Sequence, residues 1–388
     1  MARPRIATGI DIGTHHTKVV VVLDTLEKTS ALPRILGTGL AETRGMRHGY
    51  VADAALVAES IREAARQAAG AAGMPIRKAF LAIGGISLGE ARATGETIIS
   101  RADQEITELD VAKVRAGAEE AARPHFANRT VLHRIPLEFR IDGTKVLGDP
   151  TGMQGTRLEG DYLFMLSLTK HVDALVHAVE DADIEIVDHM AAPLAGSYVL
   201  LSRDQKTKGC VLATIGAETT SAIVYDENTP LSLIVFPEGS DDITNDLALA
   251  FKISLEDAER LKLGKLGSAM YPRKKVDELI TKRYEHIFTH LGKHLKTIGA
   301  EALPAGVILA GGGAGYGLVT DIAKRELALP ARIAELHTPD HGKNRDATWA
   351  GAYGIALWGL TGDMENMPET LFSGVGTSLA TFFGQFLP

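Results

Sequence analysis

The chain has 388 residues, 45% of them hydrophobic, and a formal net charge of −8. It is long enough for two lobes with separate cores, and its acidic balance argues against nucleic acid as a partner, which requires a basic face. A single cysteine, Cys210, excludes a disulfide within the monomer and reads as a buried, inert thiol suited to a reducing cytosol. There is no apolar signal core at the start, and no run reaches the ~18 apolar residues of a spanning helix.

Strand patterns at 5–10, 17–23 and 33–40 precede a long Ala-rich helix, Ala52–Ala72, with Asp53 as N-cap and Gly73 as its stop. Another strand covers 79–84. The texture changes over 85–163, where strand-like Gly95–Ser100 and Thr130–Ile141 alternate with a helix at Glu108–Ala122 capped by Thr107. This segment reads as an inserted α+β module. A helix at Lys170–Ala182, a strand at Glu185–Asp188 and a helix from Pro193 follow. Beyond them lie a charged helical region, Asp242–Gly299, and an apolar strand, Gly306–Ala310, running into Gly311-Gly312-Gly313. The helix Leu318–Leu327 comes next, and Ala347–Leu360 forms the last folded helix. Alternating strands and helices place the chain in the α/β class.

Within this order one pattern occurs twice. Residues 10–22 and 213–225, aligned on Gly13 and Gly216, each read as an apolar strand, a turn of small and hydroxyl residues, and a second β-branched strand. A single hairpin of this kind is ordinarily just a glycine turn. Two in like order imply a duplicated fold whose turns present backbone N–H groups to phosphates from both sides. The glycine triplet supplies backbone that approaches a purine and ribose closely, although a plain strand–helix turn has the same signature. Glu259 and Lys262, three apart on a helix, are either an exposed ion pair or a reach toward ribose hydroxyls and the purine edge.

Hairpin, second hairpin and glycine loop, in that order, resemble the actin, sugar kinase and heat-shock ATPase superfamily. More narrowly the chain resembles the FtsA family of actin-like bacterial cell-division proteins. The marks are Gly49-Tyr50-Val51-Ala52-Asp53, Ile99-Ser100-Arg101 with Glu105-Ile106-Thr107-Glu108-Leu109-Asp110-Val111, and His133-Arg134-Ile135-Pro136-Leu137-Glu138-Phe139. Asp149-Pro150-Thr151-Gly152-Met153 and Gly155-Thr156-Arg157-Leu158-Glu159 continue the match, which runs from about 5 to 360 and falls largely in the insert.

The resemblance implies a two-lobed actin-like ATPase fold that binds ATP and Mg²⁺ between the lobes. By its pattern, 1–84 and 164–191 form lobe 1 (1A), 85–163 the insert called 1C, 192–240 and 301–346 lobe 2 (2A), and 241–300 subdomain 2B. The stretch 347–360 then packs on lobe 1 as a closing helix, 361–370 is a linker, and 371–388 is an amphipathic membrane-targeting helix. The implied nucleotide contacts are Asp11, Gly13, Thr14, Thr17 and Lys18 from the first hairpin and Gly216, Ala217, Glu218, Thr219 and Thr220 from the second. Glu259, Lys262, Gly311, Gly312 and Gly313 complete them. Asp11 is the catalytic candidate and the Mg²⁺ residue, acting through water, and Lys18 is placed to meet a β- or γ-phosphate.

The pattern breaks in the second hairpin, where the family's Asp-Ile-Gly-Gly-Gly-Thr is Thr214-Ile215-Gly216-Ala217-Glu218-Thr219. Thr214 cannot supply the negative oxygen that Mg²⁺ prefers, and Glu218 is displaced by four residues. Because phosphoryl transfer depends on positioning and charge neutralisation, the chain is expected to be a slow ATPase at most.

The end of the chain carries a second signal. Leu371, Phe372, Val375, Leu379, Phe382, Phe383 and Phe386 recur mostly at helical spacing, behind the polar stretch Thr361–Glu369. A terminal helix docked on the core would show the same stripe, whereas the family ends in a lipid-binding helix. Leu371–Pro388 contains no Lys or Arg, so binding would rest on apolar insertion at about 0.8 kcal/mol per buried CH₂.

His286, His290 and His294 share one helix face and read as solvated, since no neighbouring Cys or Asp completes a metal site. Arg273, Lys274, Lys275, Lys282 and Arg283 form a basic cluster that is either wetted surface or, as the resemblance allows for 2B, a seat for the C-terminal tail of FtsZ. The expected role is a nucleotide-binding protein that self-associates at the cytoplasmic face of the cell membrane at the division site. There it tethers the FtsZ ring and meets other division proteins through 1C. A PilM-like pilus-assembly adaptor and a small-molecule kinase of the same superfamily are the alternatives.

Overall fold

The computed structural model describes residues 5–24, 33–266, 271–336 and 346–361. The expected tail Leu371–Pro388 and nearly all of its linker lie outside these residues. Lobe 1 opens with β1 (Ile6–Ile12), β2 (His16–Leu23) and β3 (Arg34–Glu42), followed by the short β4 (Met46–Arg47) and β5 (Tyr50–Val51), α1 (Ala54–Ala72) and β6 (Lys78–Ile83). The insert contributes β7 (Gly89–Ile98), α2 (Glu108–Ala122), β8 (Arg129–Ile141), β9 (Thr144–Val146) and β10 (Arg157–Leu168). After it come α3 (Thr169–Glu180), β11 (Glu185–Ala191), α4 (Ala192–Leu200) and α5 (Arg203–Lys208). Lobe 2 runs through β12 (Cys210–Ile215), β13 (Thr220–Asp226), β14 (Thr229–Phe236), α6 (Ser240–Phe251), α7 (Leu255–Lys262) and α8 (Arg273–Thr297). It ends with β15 (Gly306–Ala310), α9 (Val319–Leu327) and β16 (Ala331–Ile333), before α10 (Ala350–Thr361) closes the described chain.

Local chemistry sets the helix boundaries. Asp53 Oδ1 accepts the Leu56 N–H at 3.2 Å, and Gly73 ends α1 at φ +69°, a left-handed conformation that costs glycine little. At the start of α2 the Asp110 carboxylate accepts both the Thr107 N–H, at 3.1 Å, and its hydroxyl, at 2.6 Å. The charged region 242–299 divides into α6, α7 and α8, with Ser254 capping α7. The strands are longer than their apolar runs suggest: β7 begins at Gly89 and β10 at Arg157. In β7 the inward face carries only small residues such as Ala91 and Gly95, and in β10 the outward Arg157, Glu159 and Asp161 interrupt the apolar run, so neither start shows as a hydrophobic stretch.

Topology bears out the duplication. Lobe 1 orders its strands β3-β2-β1-β6-β11, and lobe 2 orders its own β14-β13-β12-β15-β16. Each has an antiparallel hairpin leading into parallel neighbours. Register makes the match specific: Asp11 pairs with Lys18 across the first hairpin, and Thr214 pairs with Ser221 across the second.

Among the described residues three cores hold the fold together. One joins the lobe 1 sheet to α1, α3, α4 and α10 and to the inner face of the lobe 2 sheet. A second lies between the outer face of that sheet and α6 to α9. The third fills the insert, where α2 crosses the antiparallel sheet β7-β10-β8-β9. The helix sits so close to the sheet that a Cβ on Gly95 would fall 1.8 Å from the Val114 carbonyl oxygen. Helix α10 is apolar on all sides, as a helix buried between layers must be. Ala352, Ile355, Ala356 and Leu357 are all fully buried.

Candidate functional site in the cleft between the lobes

Both hairpin turns and the glycine loop open onto one cleft of about 1200 Å³, larger than the roughly 300–1,000 Å³ of most small-molecule sites. The turns close in the same way. Gly13 N–H donates to the His16 carbonyl at 3.0 Å, and Gly216 N–H donates to the Thr219 carbonyl at 2.8 Å. A Cβ on either glycine would press on that acceptor, at 3.0 and 2.9 Å. The residues between them, Thr14 and His15 in one turn and Ala217 and Glu218 in the other, line the cleft, as do Gly13, Gly216 and Thr219.

Thr17 and Thr220 occupy equivalent positions and are both buried, and the structure does not bring them to the cleft wall. Thr17 Oγ1 bonds Thr43 Oγ1 at 2.8 Å, and Thr220 Oγ1 donates to the Glu238 carbonyl at 2.8 Å. Each hydroxyl anchors its turn to the framework behind it.

Asp11 and Lys18 both line the cleft. Burial pushes the Asp11 carboxyl above its ordinary value, while Lys18 opposes the shift. Its place against the closing helix depends on Gly351, where a Cβ would lie 2.6 Å from Asp11 Oδ2. Opposite them Thr214 and Ser221 face the same space with neutral hydroxyls. One wall of this part of the cleft therefore carries a charged pair and the other carries none from its strands.

Glu218 is engaged across the cleft. Its carboxylate accepts the backbone N–H of His48 from lobe 1, so it ties the lobes together. Further acidity comes from two residues that carry no motif in the sequence. Asp241, at the start of α6, lines the cleft, and its carboxyl is raised by burial against the lowering pull of Lys262 and His15. Its N–H donates to the Ala217 carbonyl at 2.8 Å, beside a Ser240 N–H to Gly216 carbonyl bond of 2.9 Å. Asp346 caps the turn leading into α10 and also faces the cleft. Neither lies in a sequence motif; only the glycine before Ser240 hints at a helix start.

At the far end Lys262 Nζ lies 2.6 Å from Glu259 Oε2, 2.8 Å from Thr244 Oγ1 and 3.1 Å from the Ser240 carbonyl. The pair lines the cleft, with the Lys262 side chain only 13% exposed, so it is not a plain surface ion pair. Gly311 takes φ +87°, and a Cβ there would meet the Ile215 carbonyl oxygen at 2.3 Å. Gly312 differs: a Cβ would meet nothing within 4 Å and would project into open space. Tyr284 donates to the Gly313 carbonyl at 2.5 Å and stacks on Tyr316, ring centres 5.7 Å apart. These two aromatics were not foreseen, although Tyr316 closes the glycine run Gly311–Gly315.

The basic cluster is less uniform than its sequence. Arg283 is not an open cation: Asp246 takes it in two bonds of 2.8 and 2.9 Å. Arg273 reaches Asp277 at 3.8 Å, and Lys275 lies over the Phe251 ring at 5.4 Å. Lys274 and Lys282 are exposed.

Two like lobes, each presenting a glycine hairpin to a shared cleft and one carrying an inserted module, define an actin-like protein. Comparison with solved structures agrees at the level of fold. The PilM–PilN type IV pilus biogenesis complex matches at TM-score 0.67 and 19% identity, over 91% of this chain and 98% of that one. MreB5 of Spiroplasma citri bound to ADP matches at 0.53 and 10%, over 94% and 99%. The family model for Cell division protein FtsA matches residues 211–354, and that for the SHS2 domain inserted in FtsA matches 91–166. Cell division protein FtsA of Bacillus subtilis is 30% identical over 377 residues, 92% of this chain and 83% of its own length. The chain belongs to the FtsA family of cell-division proteins.

Proposed function

We propose that this chain binds ATP with Mg²⁺ in the cleft, self-associates at the cytoplasmic face of the membrane, and tethers the FtsZ ring to it at the division site. The observation that carries the nucleotide reading is the convergence of both hairpin turns and the Gly311–Gly313 loop on one cleft. The fit is chemical as well as spatial. Gly312 leaves open the space a purine needs, Lys262 and Glu259 supply a donor and an acceptor beside it, and Lys18 supplies positive charge at the phosphate end. MreB5 of Spiroplasma citri, which shares the fold, is described with ADP bound.

Asp11 would hold Mg²⁺ through water, and the ion would neutralise phosphate charge. With Thr214 and Ser221 opposite, the strands give that ion one carboxylate, so binding is favoured over turnover. Among the described residues no helix is long and apolar enough to cross a membrane. The apolar stripe of Leu371–Pro388 supports assigning the lipid contact there, and the FtsZ tail is assigned to the exposed Lys274 and Lys282 side of α8. Co-sedimentation tests the tether: the chain with vesicles and ATP should carry FtsZ into the pellet. FtsZ remaining in the supernatant while the chain pellets would refute it.

A further inference from the structure

Helix α8 carries His286 and His290 four residues apart, which sets them side by side with ring centres 4.4 Å apart. The expectation from sequence is a solvated face with no acidic partner. The fold supplies one from the loop after β14. Glu238 Oε2 lies 3.1 Å from His286 Nδ1, and Glu238 Oε1 lies 3.3 Å from His290 Nδ1. One ligand atom from each of the three residues falls within 4.8 Å of the others. His294, the third histidine of the row, does not join them; its Nε2 bonds Ser232 Oγ at 2.8 Å.

We propose that Glu238, His286 and His290 form a binding site for a borderline-soft divalent transition metal, Zn²⁺ above all, on lobe 2. Two imidazoles and a carboxylate are a donor set that zinc accepts, leaving its fourth position for water. With metal–ligand bonds of about 2.0–2.2 Å, a tetrahedral site spaces its donors roughly 3.3–3.6 Å apart. Each histidine Nδ1 already lies close to that from one of the two Glu238 oxygens, at 3.1 and 3.3 Å, so a small turn of the carboxylate or of the rings completes the set.

Charge and burial support the site. The Glu238 side chain is 15% exposed, while His286 is 52% exposed, so a held carboxylate meets ligands that an ion can reach. The neighbouring cation Arg283 is bound by Asp246 and does not occupy the carboxylate. The Phe236 ring packs against His290, with centres 5.9 Å apart, and limits where that imidazole can swing. Metal would also have a mechanical effect. The Glu238 carbonyl accepts the Thr220 hydroxyl, and the next residue, Gly239, packs against Ala217. An ion there would pin α8 to the segment that supports the second hairpin turn.

The test is titration of the full chain with ZnCl₂ by calorimetry and with CoCl₂ by visible absorption, for the parent, H286Q, H290Q, the H286Q/H290Q double variant and H294A. One equivalent of Zn²⁺ should bind, with tetrahedral cobalt ligand-field bands, in the parent and H294A. Each single variant should lose at least tenfold in affinity, and the double variant should lose the bands. Thermal unfolding should shift upward with Zn²⁺ in the parent alone among the parent and double variant. Because His286 is exposed, its replacement leaves the fold intact, which circular dichroism checks. Equal zinc stoichiometry and affinity in parent and double variant, or octahedral cobalt bands in the parent, would overturn the assignment.

Discussion

The Glu218 carboxylate, carried on the second hairpin turn of lobe 2, accepts the backbone N–H of His48 in lobe 1. The His48 ring Nδ1 also lies 3.3 Å from the Glu218 carbonyl oxygen. The acidic residue displaced by four positions from the family's Asp thus bridges the lobes. Glu218→Ala should leave lobe packing intact and free the His48 amide, because a charge-assisted hydrogen bond contributes about 1.5–3 kcal/mol and half-exposure reduces it. Hydrogen exchange should quicken at residues 46–50, with little change in β1 or β12. Unchanged exchange there would show that the bridge holds nothing.

Lys206 gives a pH prediction. Its side chain is buried, with its ammonium 5.1 and 4.8 Å from the ring centres of Tyr198 and Tyr225, and burial pulls its pKa down to about 7. The unfolded lysine keeps its proton to about pH 10.4, so above pH 7 the unfolded chain binds more protons and stability rises with pH. Burial pushes the Cys210 thiol up to about 12, so the unfolded thiol ionises first and opposes the gain above its ordinary range. The window is therefore about pH 7 to 9. Urea midpoints should climb across it in the parent and stay flat in Lys206→Met; parallel slopes would contradict the account.

Thr214→Asp restores a carboxylate opposite Asp11. ATP turnover dependent on Mg²⁺ should rise about tenfold, a barrier change near 1.4 kcal/mol. Steady-state phosphate release measures this. No rise, with nucleotide still bound, would mean that charge at this strand position does not limit the chemistry.

The tail yields a prediction from sequence alone. Phe382→Asp with Phe386→Asp puts two carboxylates on the apolar stripe, each opposed by the cost of burying unpaired charge. Vesicle binding should collapse while nucleotide binding persists. With no Lys or Arg in Leu371–Pro388, parental binding should respond little to salt, unlike a basic anchor screened over ~10 Å at 0.1 M. Steep salt dependence would shift the search to the exposed lysines of α8.

Much of the fold was legible because its signals are local. Asp53 and Thr107 mark helix starts by their own chemistry, and the Gly13 and Gly216 hairpins repeat within a few residues of sequence. Elements without such signals stayed hidden: β14 after the tight Glu227–Asn228 turn, the short α5, and β16, which is three residues long. The cleft was legible in its turns and glycine loop and not in its walls. Asp241, Asp346, Tyr284 and Tyr316 reach it only through tertiary placement, and Glu238 meets His286 from 48 residues upstream. Thr17 and Thr220 show the converse. A hydroxyl beside a phosphate-like turn looks functional, yet strand alternation turns it inward, where it must find a partner.

The central claim is that nucleotide sits between the hairpin turns and the glycine loop. Gly312 tests it most directly, because a Cβ there would meet no protein atom within 4 Å and the larger side chain starts from open space in the cleft. Calorimetric titration of Mg²⁺–ATP should give a measurable affinity for the parent and a loss of at least a hundredfold, about 2.7 kcal/mol, for Gly312→Phe. Equal affinity in a variant of unchanged melting temperature would place the nucleotide elsewhere and contradict the account.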